Sequence, residues 1–282
     1  MNISVSTYAP SSTADTIVSR DGTRLEQRII GSGPALIVLP GALSLAADYA
    51  NLVEALASSF TVHVLERRGH GNSGDAPDGY AIEREVEDVT ALLQTTGPAH
   101  VFGHSFGGLV ALEAARALGG RVRNLAVYEP GVSIGGSIPA DWIPEYKRLL
   151  AEGKAHEAFI VFIRALGPEQ ARQAPRWLMR LVLPFVLRGH EWQKMKALLP
   201  SNAREHAEVG RLNDSYRAYA GIAAPTMLMH GDKDGAVPAR TSEALGRVMV
   251  KATVRAFPGL DHFAPQRGDT GEVAEALRVF FA

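Results

Sequence analysis

Short apolar runs alternate along the chain with longer segments in which apolar residues recur every three or four positions. Ala35–Leu39, Thr61–Leu65 and Ala99–Phe102 are short, largely apolar runs, which is typical of strands covered on both faces of a parallel sheet. Between them, Tyr49–Ser59 and Ile82–Leu93 have helical spacing. The alternation predicts βαβ units, in which a mostly parallel sheet carries helices on both faces.

The same pattern continues at both ends of the chain. Thr16–Ser19 and Leu25–Ile30 flank an Asp21-Gly22 pair, which predicts an antiparallel hairpin. Strands are also expected at Val122–Tyr128, Thr226–His230 and Thr253–Phe257, which brings the predicted sheet to eight strands. A terminal helix is expected after Thr270, a possible N-cap, with Val273, Leu277 and Phe280 facing inward.

The alternation stops after the sixth strand, between residues 132 and 220. Helical patterns there are interrupted by prolines, and the stretch contains all three tryptophans, Trp142, Trp177 and Trp192. We therefore predict a helical cap at 132–220, inserted into a core formed by residues 1–131 and 221–282. A cap over the carboxyl ends of the strands could exclude water and shape an apolar pocket.

Composition narrows the classes of function. The chain of 282 residues has a formal net charge of −1, which argues against nucleic-acid binding. It has no run of 18 apolar residues and no basic, apolar N-terminal signal, so we expect no membrane span and a cytoplasmic protein. The absence of cysteine excludes disulfides and thiolate metal sites. The oligomeric state stays open.

One short motif points to nucleophilic chemistry. Ser105 lies at the centre of Gly-His-Ser-Phe-Gly, which matches the G-x-S-x-G pattern that exposes a serine on a sharp turn between strand and helix. A second match surrounds Ser133, but Pro130 precedes it and helix-breaking residues follow it. Only Ser105 has a predicted strand before it and a predicted helix after it, so we predict that Ser133 is a loop residue.

Together with this turn, three ordered motifs resemble those of the α/β hydrolase family, in its lidded bacterial serine hydrolase form. The segment 66–73 is similar to the family's D-x-R-G-x-G-x-S loop, with Glu66 in the usual Asp position. The segment 231–238 is similar to the family's acid loop, and His262 lies where the family has its catalytic histidine. The resemblance covers residues 18–281 and implies a Ser-Asp-His order along the chain.

The resemblance assigns roles to the candidate catalytic residues. Ser105 is the expected nucleophile and His262 the expected base, because a serine hydroxyl needs a neutral imidazole to take its proton. Asp234 fits the family spacing for the acid that orients the imidazole. Glu129, at the end of the sixth strand, is the alternative acid.

The backbone N–H of Phe106 and that of Ala42 are expected to form the oxyanion hole. Pro40 stands where the family usually has a histidine, while Gly41 keeps the backbone freedom of the turn. From the cap, four aromatic residues are predicted to contact substrate: Trp142, Phe162, Trp177 and Phe185. The cap's basic side chains are expected to face solvent.

These features predict a hydrolase that cleaves carboxylic esters or related acyl compounds through an acyl-enzyme on Ser105, with small to medium apolar substrates. The expected partner is a small-molecule substrate, and the resemblance implies no metal and no organic cofactor. Lactonase, thioesterase, carbon–carbon bond hydrolase and cofactor-free perhydrolase activities on the same triad stay open. So do a hydrolase-like ligand receptor with little turnover and a scaffold whose triad never assembles.

Overall fold

A computed structural model describes residues 12–75, 79–266 and 270–282. Within these residues, eight strands form one sheet in the order β1-β2-β4-β3-β5-β6-β7-β8. The strands are β1 Thr13–Val18, β2 Arg24–Gly31, β3 Ala35–Leu39, β4 Thr61–Leu65, β5 Ala99–His104, β6 Val122–Tyr128, β7 Thr226–Gly231 and β8 Ala252–Phe257. β2 runs antiparallel to β1 and β4, and the other neighbouring pairs are parallel.

The helices lie on both faces of the sheet, as the sequence predicts. They are α1 Ala50–Leu56, α2 Ile82–Thr96, α3 Phe106–Leu118, α4 Ile143–Ala151, α5 Ala155–Leu166, α6 Glu169–Gln173, α7 Arg176–Val186, α8 Gly189–Arg211, α9 Ala236–Val248 and α10 Gly271–Phe281. Apolar residues of α2, α3 and α9 pack on one face, and those of α1 and α10 pack on the other. The predicted fold class is confirmed.

Two predicted helices differ from the structure at their ends. The segment predicted as helix from Tyr49 begins with a 3-10 turn, Ala46–Tyr49, and its α-helix ends at Leu56. The second helix extends three residues past Leu93, to Thr96, where Gly97 in a left-handed conformation ends it. Helix ends are set by local capping as much as by apolar spacing, so a difference of a few residues is expected.

Five helices, α4 to α8, lie between β6 and β7, inside the range predicted for a cap. We call residues 132–220 the helical insertion. Its apolar side chains form a cluster of their own, which includes Tyr146, Phe159 and Trp192. Its longest helix, α8, contacts the segments that follow β3 and β4. Lys194 Nζ donates to Asp48 Oδ1 at 2.5 Å, and Ser201 Oγ donates to the carbonyl of Gly69 at 3.0 Å. The insertion therefore rests against loops at the carboxyl ends of the strands.

Candidate active site

Ser105 occupies a sharp turn between β5 and α3. Its φ of 54° is in the left-handed region, which a non-glycine residue adopts only when its surroundings enforce it. The flanking glycines allow the close packing that does so. A Cβ on Gly103 would lie 2.3 Å from the carbonyl oxygen of Gly107, and a Cβ on Gly107 would lie 2.1 Å from that of Leu39. The turn therefore holds the Ser105 side chain at the carboxyl end of the sheet.

Three side chains from separate loops meet at this turn. His262 Nε2 lies 3.0 Å from Ser105 Oγ, and His262 Nδ1 lies 2.7 Å from Glu129 Oε2. Glu129 follows β6 directly and is buried, and its other oxygen accepts the N–H of Gly231 at 2.9 Å. A carboxylate on Nδ1 fixes the tautomer in which Nε2 is free to accept the serine proton. The arrangement has the geometry of a Ser-His-Glu triad.

The expected role of Asp234 differs from its place in the structure. Its Oδ2 accepts the backbone N–H of His262 at 2.5 Å, whereas Glu129 holds the ring. Its neighbour Asp232 similarly accepts the backbone N–H of Gly259 at 2.7 Å. The acid loop therefore holds the backbone of the loop that carries His262. The side chain that reaches Nδ1 of His262 is that of Glu129, at the end of β6.

The loop after β3 approaches the serine closely. A Cβ on Gly41 would lie 3.1 Å from Ser105 Cβ, so a side chain at this position would require its neighbours to shift by a few tenths of an ångström. The next peptide, between Gly41 and Ala42, therefore lies beside the nucleophile. Phe106 is the first residue of α3, where a backbone N–H has no partner within the helix. These are the two positions that the sequence predicts as oxyanion donors.

A buried chain of hydrogen bonds links the histidine loop to this glycine. His104 Nε2 donates to the carbonyl of His262 at 2.7 Å, so its Nδ1 accepts the Tyr49 hydroxyl proton at 2.6 Å. The Tyr49 oxygen in turn accepts the N–H of Gly41 at 2.9 Å. Burial, and then repulsion from His262, hold the pKa of His104 well below its usual value. Burial also raises the pKa of Tyr49 to about 12, so both links are neutral.

A second buried network, centred on Arg67, lies behind the Pro40-Gly41 segment. The guanidinium donates to Glu85 and Glu205, each at 2.8 Å, and Glu205 belongs to α8 of the insertion. Burial alone would raise the pKa of Glu205, but Arg67 and His70 outweigh it and lower that pKa to about 2. Burial alone would lower the pKa of Arg67, and these carboxylates raise it. The network therefore holds a charged arginine at the base of the loop.

The predicted substrate contacts in the insertion agree only in part with the structure. Trp177 and Phe185 are 66% and 70% exposed, because α7 turns Met179 and Leu183 inward and presents the opposite face to solvent. The expectation that these two aromatics line a pocket at Ser105 is therefore not supported. Trp142 is buried, and its ring lies edge-on to that of Phe162 in the insertion's own core.

Two other apolar residues lie nearer the reacting groups. Leu43, one residue beyond Ala42, packs against the apolar cluster of the insertion. Phe263 lies edge-on to the His262 ring, with centroids 5.4 Å apart, and is 42% exposed. Most of the insertion's basic side chains lie at the surface, and several pair with glutamates there, as Arg180 does with Glu157. Lys194 and Arg204 are the less exposed ones, and they pair with aspartates outside the insertion.

The alternative serine lies apart from this cluster. Ser133 is in a loop, as predicted, and its hydroxyl donates to Asn213 Oδ1 at 2.7 Å. Among the described residues, no group of three or more His, Asp or Glu side chains could hold a metal ion. No helix in the described part of the chain is long and apolar enough to cross a membrane.

The sequence contains faint signals of the residues that sequence reasoning missed. Arg67 and Arg68 are consecutive arginines directly after an apolar strand and its terminal Glu66, and buried arginines require carboxylate partners. Nothing in the local sequence identifies Glu205 as one of those partners, since 138 residues separate it from Arg67. Tyr49 is indistinguishable from any core aromatic until its hydroxyl is placed.

Comparisons with known proteins identify the family to which the chain belongs. The profile of the alpha/beta hydrolase family matches residues 36–276. A pimeloyl-[acyl-carrier protein] methyl ester esterase from Xanthomonas oryzae pv. oryzae is 30% identical over 262 residues, covering 90% of this chain and 97% of that one. An N-formylmaleamate deformylase from Pseudomonas putida is 29% identical over 182 residues, covering 62% and 68%.

Solved structures lead to the same family. The crystal structure of an alpha/beta hydrolase from Sphaerobacter thermophilus has a TM-score of 0.80 and 32% identity, and the match covers 95% of this chain and 100% of that one. A thermophilic esterase from Thermogutta terrifontis, at 20% identity and a TM-score of 0.69, shares the fold over 95% of this chain and 97% of that one. This chain is therefore a member of the α/β hydrolase family, and the prediction of a hydrolase is confirmed.

Proposed function

We propose that this protein hydrolyses carboxylic esters through an acyl-enzyme on Ser105, with His262 as the base and Glu129 as the acid that orients it. The observation that carries the proposal is the continuous hydrogen-bond path from Ser105 Oγ through the His262 ring to Glu129. The similarity to the Xanthomonas methyl ester esterase supports the ester as the bond that is cleaved.

The proposed reaction has two steps. Ser105 Oγ attacks the ester carbonyl carbon while His262 Nε2 takes its proton, and the negative charge on the carbonyl oxygen is stabilised by the N–H groups of Ala42 and Phe106. The C–O bond to the alcohol then breaks, and His262 returns the proton to the leaving oxygen. Water, deprotonated by the same nitrogen, attacks the acyl-enzyme, which releases the acid and restores Ser105.

The acyl group that we propose is apolar and of small to medium length, and the helical insertion acts as the cap that selects it. We call the loop after β3, residues 40–45, the oxyanion loop. Leu43 links this loop to the insertion's apolar cluster, and Phe263 presents an apolar face beside His262. Several of the insertion's surface arginines are paired with glutamates, as with Arg176 and Glu145. Burial of an added methylene contributes about 0.8 kcal/mol, so two more carbons should raise kcat/KM about tenfold until the pocket is full.

Covalent labelling tests the nucleophile. A fluorophosphonate probe should label the wild type, and Ser105→Ala should abolish both labelling and hydrolysis of p-nitrophenyl esters. Ser133→Ala is the matched control and should behave like wild type. Labelling that persists in Ser105→Ala would refute the assignment, and a labelled protein without ester turnover would favour a ligand receptor.

A series of esters tests the substrate class. The kcat/KM values for linear p-nitrophenyl esters of two to ten acyl carbons should rise and then level off. Methyl esters that end in a free carboxylate should be poorer substrates than the matched alkyl esters. A flat profile, or a preference for the carboxylate-bearing esters, would contradict the apolar pocket and direct attention to the insertion's arginines.

A further inference from the structure

We propose that Arg67 is a positioning residue that locks the Gly41–Ala42 peptide in the orientation needed for the oxyanion hole, and that Glu205 makes this lock depend on helix α8. The inference rests on the proposed function, since it concerns the stabilisation of an oxyanion formed at Ser105. It assigns a role in catalysis to an arginine that touches neither substrate nor any side chain of the triad.

Arg67 holds two successive carbonyl groups of the oxyanion loop. Its Nε donates to the carbonyl of Pro40 at 2.8 Å, and its Nη2 donates to the carbonyl of Gly41 at 3.1 Å. The side chain is completely buried. A planar guanidinium can donate in two directions at once from a fixed fork, whereas a lysine ammonium acts as a point charge. The contact therefore fixes the orientation of these peptides as well as their position.

The orientation of one peptide determines whether the hole exists. In a trans peptide, the carbonyl and the following N–H point in opposite directions. The Gly41 carbonyl points toward Arg67, so the Ala42 N–H points away from it. On the other side of Gly41, its own N–H is held by the Tyr49 hydroxyl. A flip of the Gly41–Ala42 peptide would break the Arg67 bond and replace the Ala42 donor with a carbonyl oxygen, which would repel an oxyanion.

The same guanidinium also contacts the second donor residue. Its Cζ lies 4.9 Å from the centroid of the Phe106 ring, within the range of a cation–π interaction. Phe106 is buried and begins α3. Arg67 thus contacts the carbonyl of the peptide that carries the Ala42 N–H and also the side chain of Phe106, although the two proposed donor residues are 64 positions apart in the sequence.

Glu205 connects this lock to the helical insertion. Its Oε1 accepts from Arg67 Nη2 at 2.8 Å and faces His70 Nε2 at 2.7 Å, and both carboxylate and guanidinium are fully buried. The nitrogen that holds the Gly41 carbonyl is therefore the same nitrogen that Glu205 holds. Without the Glu205 charge, Glu85 would be the one counter-ion left to Arg67 among the residues that the structure describes. The position of α8 and the shape of the oxyanion hole are therefore coupled through Arg67 Nη2.

The matched pair Arg67→Lys and Arg68→Lys tests the lock. Arg68 is the next residue, is equally buried, and bonds Asp88 at 2.6 Å without touching the oxyanion loop. Arg67→Lys should lower kcat about 10²-fold, as expected for an impaired oxyanion donor, with KM changed less than about threefold. Arg68→Lys should lower the melting temperature but leave kcat within about threefold of wild type. Equal effects of the two variants on kcat would overturn the proposal.

A second pair tests the connection to α8 and covers the case in which Arg67→Lys does not fold. Glu205→Gln keeps the size and one acceptor but removes the charge, and should lower kcat about tenfold. Glu208→Gln, on the same helix, alters a contact to the Ile82 N–H outside the oxyanion loop and should leave kcat near wild type. If Glu205→Gln also retains wild-type kcat, α8 does not control the hole.

A measurement of how strongly the oxyanion hole stabilises negative charge distinguishes a positioning role of Arg67 from general structural support. A trifluoromethyl ketone forms a hemiketal with the serine, and ¹³C NMR measures the pKa of its oxyanion. Arg67→Lys and Glu205→Gln should raise that pKa by about one unit, whereas Arg68→Lys should not shift it. An unchanged oxyanion pKa refutes the inference. If the wild type forms no hemiketal and shows no labelling, the proposed function itself has failed.

Discussion

The turn around Ser105, residues 103–107, which we call the corner, is tightly packed, whereas the outer helix α7 is largely exposed. At the corner, the Phe106 side chain is 2% exposed and glycines at 103 and 107 permit backbone contacts that no side chain would allow. On α7, Trp177, Leu181 and Phe185 are each at least 60% exposed, and only Met179 and Leu183 are buried. The corner therefore has no room to rearrange, whereas α7 is held to the protein by the apolar stripe on its buried face.

This contrast separates the chemistry from the choice of substrate. A triad must keep hydrogen-bond distances to within about 0.5 Å, which requires a rigid support. In this chain that support comes from strand ends and close glycine contacts. A cap that selects an acyl group needs only an apolar surface of suitable shape. We therefore expect substitutions at the corner to alter turnover strongly and substitutions on the outer face of α7 to alter it little.

The largest expected effect distinguishes the two candidate acids. Both Glu129 oxygens accept, one from His262 and one from the Gly231 N–H, so a glutamine in either orientation opposes one donor with another. Glu129→Gln should lower kcat about 10³- to 10⁴-fold, through loss of the correct imidazole tautomer. Asp234→Asn, which retains an acceptor for the His262 backbone, should cost about tenfold or less. Steady-state kinetics would reject the Glu129 assignment if Asp234→Asn were the more damaging variant.

The second prediction concerns close packing at the corner. A Cβ on Gly107 would lie 2.1 Å from the Leu39 carbonyl oxygen, which is backbone and cannot rotate away. Gly107→Ala should therefore lower the free energy of unfolding by about 3 kcal/mol or more, or prevent folding. Gly221→Ala is the control, because a Cβ there meets no atom within 4 Å. Urea denaturation measures both variants, and equal midpoints would contradict the strict packing argument.

The third prediction uses Glu66, which is buried beside the oxyanion loop. One of its oxygens accepts the Ala46 N–H, and burial raises the pKa of Glu66 to about 7. Since the folded-state pKa exceeds the ordinary value of 4.5, the contribution of Glu66 to stability is greatest below pH 4.5 and is lost as the pH rises toward 7.

Glu66→Gln removes this ionisation, so it should be more stable than wild type at pH 8 by about 2 kcal/mol. Near pH 4.5 the two proteins should be almost equally stable. Denaturant unfolding at several pH values measures the difference. A difference that does not change with pH would show that burial does not penalise the Glu66 charge.

The smallest effect is expected on the outer face of α7. Trp177→Gln and Phe185→Gln should change the free energy of unfolding by about 0.5 kcal/mol or less, since surface positions contribute little. Both should keep kcat/KM for short esters within about twofold of wild type. Leu183→Ala, on the buried face, should cost about 2 to 4 kcal/mol. A large loss of activity in Trp177→Gln would support the prediction that this side chain contacts substrate.

The sequence by itself predicted the fold and singled out Ser105 as the candidate nucleophile. Apolar runs such as Ala35–Leu39 and Thr226–His230 predict strands that are buried on both faces, and the periodic segments between them predict helices that cover such a sheet. Ser105 and His262 were also predicted as catalytic candidates, because each lies in a distinctive local motif after the end of a strand. These signals are local, and each is contained in a few consecutive residues.

Only the tertiary structure decided which side chains meet. Glu129 and Asp234 both follow strands that end at the same edge, and the choice between them depends on which carboxylate reaches Nδ1 of His262. The partnership of Arg67 with Glu205 joins residues 138 positions apart. Hydrogen bonds require donor and acceptor to agree within a few tenths of an ångström. Apolar patterning specifies which face is buried and leaves such distances to the packing of the whole fold.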